Sequence, residues 1–113
     1  MTVAASDEQQ RALFGEIARR IVEVCQPQKI VVFGSRARGD HRPDSDVDIL
    51  VIAESDEPRY KRDGPLYTAL AHLPLNVDVL VYTPREVQDW SAVRHALPTT
   101  ALREGIVIYV RDP

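Results

Sequence analysis

Four short runs rich in β-branched residues, separated by segments with helical patterning, constrain the fold of this chain most strongly. We predict that each run forms a strand, because short apolar runs bounded by polar or turn residues are typical of strands. The predicted strands span residues 29–33, 46–52, 75–82 and 106–110. Strands that alternate with helices favour an α/β (α+β) fold, here a small sheet of about four strands flanked by helices.

Local signals define the helices between these strands. Ser6 opens a segment with the spacing of a capping box, and Pro27 ends it. Thr83 has the character of an N-cap because proline and an early acidic residue follow it. The predicted helices span residues 6–26, 58–73 (with a break near Gly64-Pro65), 84–97 and 98–104.

Length and composition narrow the class of protein. The chain has 113 residues, 44% of them hydrophobic and 27% charged, so we predict one globular domain covering residues 1–113. No apolar run approaches the roughly 20 residues of a membrane span, and the acidic N-terminal stretch is unlike a secretory signal. The single cysteine, Cys25, fits a reducing, cytoplasmic location. A net charge of −3 argues against a general nucleic-acid binder.

Three aspartates stand where strands are expected to be apolar. Asp46 and Asp48 are two residues apart and therefore point to the same face of the sheet. Asp78 has the same pattern in the third predicted strand. Each aspartate alone could be a strand-end residue or half of an ion pair. If the two strands are neighbours, however, three carboxylates converge, and a hard cation such as Mg²⁺ would relieve their repulsion.

A glycine–serine turn follows the first predicted strand. Gly34 allows a ligand to approach the backbone closely, and the N–H groups and the hydroxyl of Ser35 can bind phosphate. Arg36 and Arg38 add positive charge, and arginine can bind phosphate oxygens in a bidentate manner. The segment is not a P-loop, because Gly39 is not followed by lysine and serine or threonine. An ordinary basic turn is the simpler alternative.

Together these residues form a compound motif, Gly34-Ser35, ten residues, then Asp46-x-Asp48, with Asp78 about thirty residues later. The motif resembles that of the nucleotidyltransferases related to DNA polymerase β, and most closely that of their smallest members, the minimal nucleotidyltransferases. The resemblance covers most of the chain and implies a small mixed sheet. It also implies that Gly34 and Ser35 contact the nucleotide phosphates and that Asp46, Asp48 and Asp78 hold two Mg²⁺ ions, Asp78 also helping to activate the acceptor hydroxyl.

The resemblance further implies a reaction and a partner. ATP would be the donor, and AMP would pass to a hydroxyl group with release of pyrophosphate. Because the chain is too short to hold an acceptor-binding domain, the acceptor site would be shared with a partner or a second copy. Many minimal nucleotidyltransferases pair with a HEPN-type ribonuclease toxin and act as its antitoxin, some by adenylylating a tyrosine, as in type VII systems. We expect the same here.

Three alternatives remain open from the sequence. The chain could modify a small molecule such as an aminoglycoside, as a homo-oligomer. It could neutralise a toxin by contact alone, with an inactive site. It could also be a nucleic-acid-binding domain, which its charge makes the least favoured of the three.

Overall fold

The computed structural model describes the backbone of residues 2–112 and the side chains of residues 8–112. Five helices, one short 3₁₀ turn and four strands follow one another along this part of the chain. In chain order they are α1 (Thr2–Cys25), β1 (Lys29–Phe33), α2 (Ser35–Arg38), β2 (Val47–Ile52), the 3₁₀ turn (Arg59–Lys61), α3 (Gly64–Ala69), β3 (Val77–Tyr82), α4 (Pro84–Trp90), α5 (Leu97–Glu104) and β4 (Ile106–Val110).

The four strands form one mixed sheet in the order β3-β2-β1-β4. The central strand β1 runs antiparallel to both β2 and β4, whereas β2 and β3 are parallel. A mixed four-stranded sheet flanked by helices confirms the predicted fold class. The two strands that carry the aspartates are neighbours, which the sequence could only assume.

Helices cover the two faces of the sheet unequally. The first face is defined by Ile30, Val32, Ile49, Val51 and Val79, and it packs against apolar residues of α1 and α3 in the larger core cluster. The second face carries a smaller buried cluster, covered by α4 and α5; its members are Val31, Leu50, Ile52, Tyr82 and Ala101. Because side chains alternate along a strand, Asp48 and Asp78 share the second face with Leu50 and Leu80.

The strand predictions are accurate because β-branched runs in a buried sheet leave little choice of conformation. β1 and β4 have the predicted bounds, whereas β2 begins at Val47, one residue later than predicted, and β3 begins at Val77, two residues later. The first helix begins at Thr2, so the prediction of a start at Ser6 was wrong. The predicted Ser6 capping box itself lies outside the residues whose side chains the structure describes.

Two helix predictions were too long. The segment 58–73 holds only the 3₁₀ turn and the short helix α3, which begins at the predicted Gly64-Pro65 break. α4 ends at Trp90 rather than near residue 97, and Ala96 is extended before α5. Pro98 lies in the first turn of α5, and it explains part of this difference because proline is tolerated in the first turn of a helix but not in its interior. Within residues 2–112, no helix has the length and apolar character that crossing a bilayer requires.

The start of α4 is fixed by a capping box that also holds an arginine. Thr83 Oγ1 accepts a hydrogen bond from the Glu86 N–H, and the Glu86 carboxylate accepts one from the Thr83 N–H. The guanidinium of Arg62 donates to both carboxylate oxygens of Glu86, at 2.7 and 3.2 Å. The hydrogen bond from Arg62 is the main cause that lowers the pKa of Glu86 below its ordinary value.

This lowered pKa predicts an acid-sensitive contribution to stability. Because the folded-state pKa lies below the unfolded one, the contribution is present at neutral pH and is lost as the pH falls through the folded value. Between about pH 6 and about pH 3, we therefore expect wild type to lose more stability than Glu86→Gln. Thermal unfolding followed across this range tests the point, and parallel curves for the two proteins would contradict it.

Candidate functional site

Two of the predicted site aspartates lie side by side on the second face. Asp48 in β2 and Asp78 in β3 are directly opposite in the parallel register. Neighbouring strands are about 4.8 Å apart, so the two carboxylates can contact the same ligand. Asp46 is exposed and lies one residue before β2 begins. The register thus brings Asp48 and Asp78 together, whereas Asp46 lies outside the paired strands.

The three carboxylates influence one another electrostatically. The pKa of Asp48 is raised, first by burial and then by the negative charges of Asp78 and Asp46. A hydrogen bond shared with Asp78 acts in the same direction, and the positive charge of Arg38 acts against it. The fold therefore holds Asp48 where its negative charge is costly unless a proton or a cation accompanies it.

The glycine–serine turn lies against this acidic group. Gly34 has φ 76° and ψ −153°, a conformation that is nearly confined to glycine. A Cβ at this position would overlap Oδ2 of Asp48 and lie 3.3 Å from its Cγ. Ser35 then begins α2. The turn and Asp48 are thus in direct contact, with no room for a side chain at position 34.

The two arginines after the turn have different environments. Arg38 is exposed, with its Nε 3.3 Å from the carboxylate of Asp40, and its charge reaches Asp48. Arg36 is only 6% exposed, and its guanidinium donates to the carbonyls of Pro43 and Ser45. The predicted phosphate contact therefore suits Arg38. For Arg36 we correct the prediction, because its donors are occupied by the carbonyls of Pro43 and Ser45 and by Gln10.

Comparison with models of protein families identifies the family to which this chain belongs. The family model described as "Nucleotidyltransferase domain" matches residues 15–108, which include the turn and all three aspartates. The chain belongs to this nucleotidyltransferase domain family. No curated protein is similar enough in sequence to match it.

Solved structures share the fold of this nucleotidyltransferase domain. One is a toxin–antitoxin crystal structure with AMP-PNP, with TM-score 0.65 and 21% identity, covering 88% of this chain and 74% of the other. Another is a candidate nucleotidyltransferase from Sulfolobus solfataricus, with TM-score 0.58 and 22% identity, covering 91% and 86%. At this level of identity, the similarity demonstrates a common fold.

The donor set of the candidate site suits a hard cation. Carboxylate oxygens are ligands that Mg²⁺ prefers, and a divalent ion would offset the repulsion that raises the pKa of Asp48. Among residues 8–112, no three His, Cys, Asp or Glu side chains are gathered closely enough to hold an ion as they stand. Asp48 and Asp78 form the closer pair, and Asp46 acts on them only through its charge.

Sequence reasoning missed two residues near this site. Phe33 lies opposite Asp48 in the antiparallel register and is half-buried on the second face beside the carboxylates. Gln10 in α1 accepts a 2.6 Å hydrogen bond from Arg36. Phe33 could have been found from its place directly before the turn. Gln10 could not, because it is 26 residues from its partner and carries no local signal.

Proposed function

We propose that this nucleotidyltransferase domain transfers AMP from ATP to a hydroxyl group on a partner protein, and that Asp46, Asp48 and Asp78 carry the reaction. The main support is the pairing of Asp48 and Asp78 across parallel strands, in contact with the Gly34 turn. This arrangement places acidic oxygen ligands next to a turn whose backbone can accept a triphosphate.

Each residue has a distinct part in the proposed reaction. The Gly34 backbone, the Ser35 hydroxyl and the Arg38 guanidinium bind the β- and γ-phosphates. The carboxylates of Asp46, Asp48 and Asp78 hold Mg²⁺, which when bound neutralises charge on the α-phosphate and the departing pyrophosphate.

The acceptor reaches the site from the side of β3. Asp78 is exposed and belongs to β3, the outer strand of the sheet formed by the described residues, so its carboxylate is open to a second molecule. Asp78 receives the proton of the acceptor hydroxyl as the acceptor oxygen bonds to the α-phosphorus. The bond to the bridging α–β oxygen breaks, and the products are the nucleotidylated acceptor and pyrophosphate.

The proposed acceptor is a tyrosine of a HEPN-type ribonuclease toxin, which would make the chain an antitoxin of a type VII-like system. A structural neighbour is a toxin–antitoxin complex that contains the ATP analogue AMP-PNP, which supports both a toxin partner and a nucleotide substrate. The Mg²⁺ requirement and the tyrosine target belong to the proposal.

A labelling experiment tests the function. The purified protein is incubated with its cognate HEPN-type toxin, Mg²⁺ and ATP labelled at the α-phosphate. We expect label on the toxin, a mass increase of one AMP on a tyrosine-containing peptide, and loss of ribonuclease activity. Asp78→Asn serves as the inactive control. If the toxin is neutralised without label, contact alone is the mechanism. If the toxin stays unlabelled and an aminoglycoside takes the label in a parallel reaction, the acceptor is a small molecule.

A further inference from the structure

Arg36 is the buried charged residue among the side chains that the structure describes. Its Nε and Nη2 atoms donate to the carbonyl oxygen of Ser45, at 3.2 and 2.9 Å. Nη2 also donates to the Pro43 carbonyl at 3.1 Å, and Nη1 donates to Oε1 of Gln10 at 2.6 Å. The guanidinium is therefore surrounded by protein acceptors rather than directed toward solvent.

These contacts fix the loop that leads into β2. Ser45 is followed directly by Asp46, so holding the Ser45 carbonyl also restrains the backbone of Asp46. The loop has a support of its own, since Ser45 Oγ accepts a hydrogen bond from the Arg42 N–H, and the Ser45 N–H donates to the Arg42 carbonyl. Arg36 joins this compact loop to the rest of the protein.

The same residue belongs to the phosphate side of the site. Arg36 is the second residue of α2 and directly follows Ser35. The Arg36 side chain thus connects the Gly34-Ser35 turn to the segment that carries Asp46. Gln10 of α1 accepts a hydrogen bond from the guanidinium and so helps to orient it. A lysine could keep the charge, but it could not donate to two carbonyls and an amide in this fixed planar geometry.

We infer that Arg36 is a positioning residue, which sets the placement of Asp46 relative to the Gly34-Ser35 turn and makes no contact with the nucleotide. The inference rests on the proposed function, because the proposed function assigns Asp46 to metal binding. Loss of an outer residue that orients metal ligands typically weakens metal affinity about 10- to 100-fold.

The test is carried out on the whole protein and compares Arg36 with a second arginine whose side chain is largely enclosed. Arg62 is a matched control, since its side chain is 8% exposed and donates to the carbonyls of Glu57 and Val81 as well as to Glu86. It lies toward the other end of β3 from Asp78. Arg36→Lys and Arg62→Lys are compared by thermal unfolding, by calorimetric titration of Mn²⁺ in the presence of AMP-PNP, and by AMP-PNP affinity without metal.

We expect both variants to melt at a lower temperature, and only Arg36→Lys to raise the half-saturating Mn²⁺ concentration, by about tenfold. Gln10→Ala should also raise the half-saturating Mn²⁺ concentration, but by less. If Arg36→Lys does not fold, Gln10→Ala takes its place in the test. AMP-PNP affinity without metal should stay unchanged. Equal Mn²⁺ affinities for Arg36→Lys and Arg62→Lys would overturn the inference, as would a weaker metal-free affinity, which would indicate a direct phosphate contact.

A further variant separates this inference from the proposed function. Asp48→Asn should weaken Mn²⁺ binding at least as much as Arg36→Lys does. If Asp48→Asn changes Mn²⁺ affinity and Arg36→Lys does not, the inference about Arg36 fails and the proposed metal site stands. If Asp48→Asn has no effect, the metal site itself is wrong and the role of Arg36 falls with it.

Discussion

Replacing Asp48 with asparagine should reduce nucleotide transfer by on the order of 10³-fold, the size of effect seen when one preorganised electrostatic contact to a transition state is lost. Asparagine keeps the shape of the side chain but removes its negative charge. Asp48 contacts the Gly34 turn, faces Asp78 across the strands and interacts with Asp46. Removal of this one charge therefore affects every part of the proposed site.

The same substitution should leave stability unchanged or raise it. The folded state raises the pKa of Asp48, so at neutral pH the ionised carboxylate opposes folding, and asparagine removes that opposition. Thermal unfolding in a chelator measures the stability, and transfer of labelled AMP measures the activity. Asp56→Asn, at an exposed position in the loop after β2, is the control and should change neither. A variant that keeps full activity would exclude Asp48 from the reaction.

Substituting Gly34 with alanine should impair both activity and stability. The backbone conformation at Gly34 is nearly confined to glycine and costs other residues about 1–3 kcal/mol. In addition, the new Cβ would overlap the Asp48 carboxylate, so the turn and the acid must move apart. Because misplacement of reacting groups by about 1 Å can cost 10²-fold, we expect activity to fall by about two orders of magnitude.

Gly39 provides a matched control for this experiment. It also has a positive φ, 86°, but a Cβ there would meet nothing within 4 Å. Gly39→Ala should cost about 1–2 kcal/mol of stability through backbone strain and leave transfer largely intact. Unfolding midpoints and transfer rates for both variants separate strain from steric overlap. Equal activity losses for the two would show that the contact with Asp48 is unimportant.

The predictability of the site differs from residue to residue. The alternation in residues 46–52 and 75–82 was enough to place Asp48 and Asp78 each on one face of its strand. Their juxtaposition depends on β2 and β3 being parallel neighbours in one particular register. Register arises from packing across the whole sheet, so the pattern within a single strand is not enough to establish it.

Arg36 and Arg38 show why some assignments fail. They are two residues apart in one basic turn, and the sequence offers no reason to treat them differently. The difference comes from distant partners, since Gln10 and the carbonyls before Asp46 surround only Arg36. Similarly, the helical pattern of residues 58–73 could not reveal how little of the segment becomes helical. Contacts between segments distant in sequence decide both cases.

The place of Asp78 in β3 has a consequence for the range of acceptors. β3 is the outer strand of the sheet, next to β2 only, whereas the turn and Asp48 belong to its interior strands. In the proposed function, the donor therefore binds at the central strands and the acceptor approaches at the outer strand. A macromolecular acceptor can approach this outer strand without entering a narrow cleft. Acceptor preference could then diverge among related chains while the machinery that handles the triphosphate stays constant.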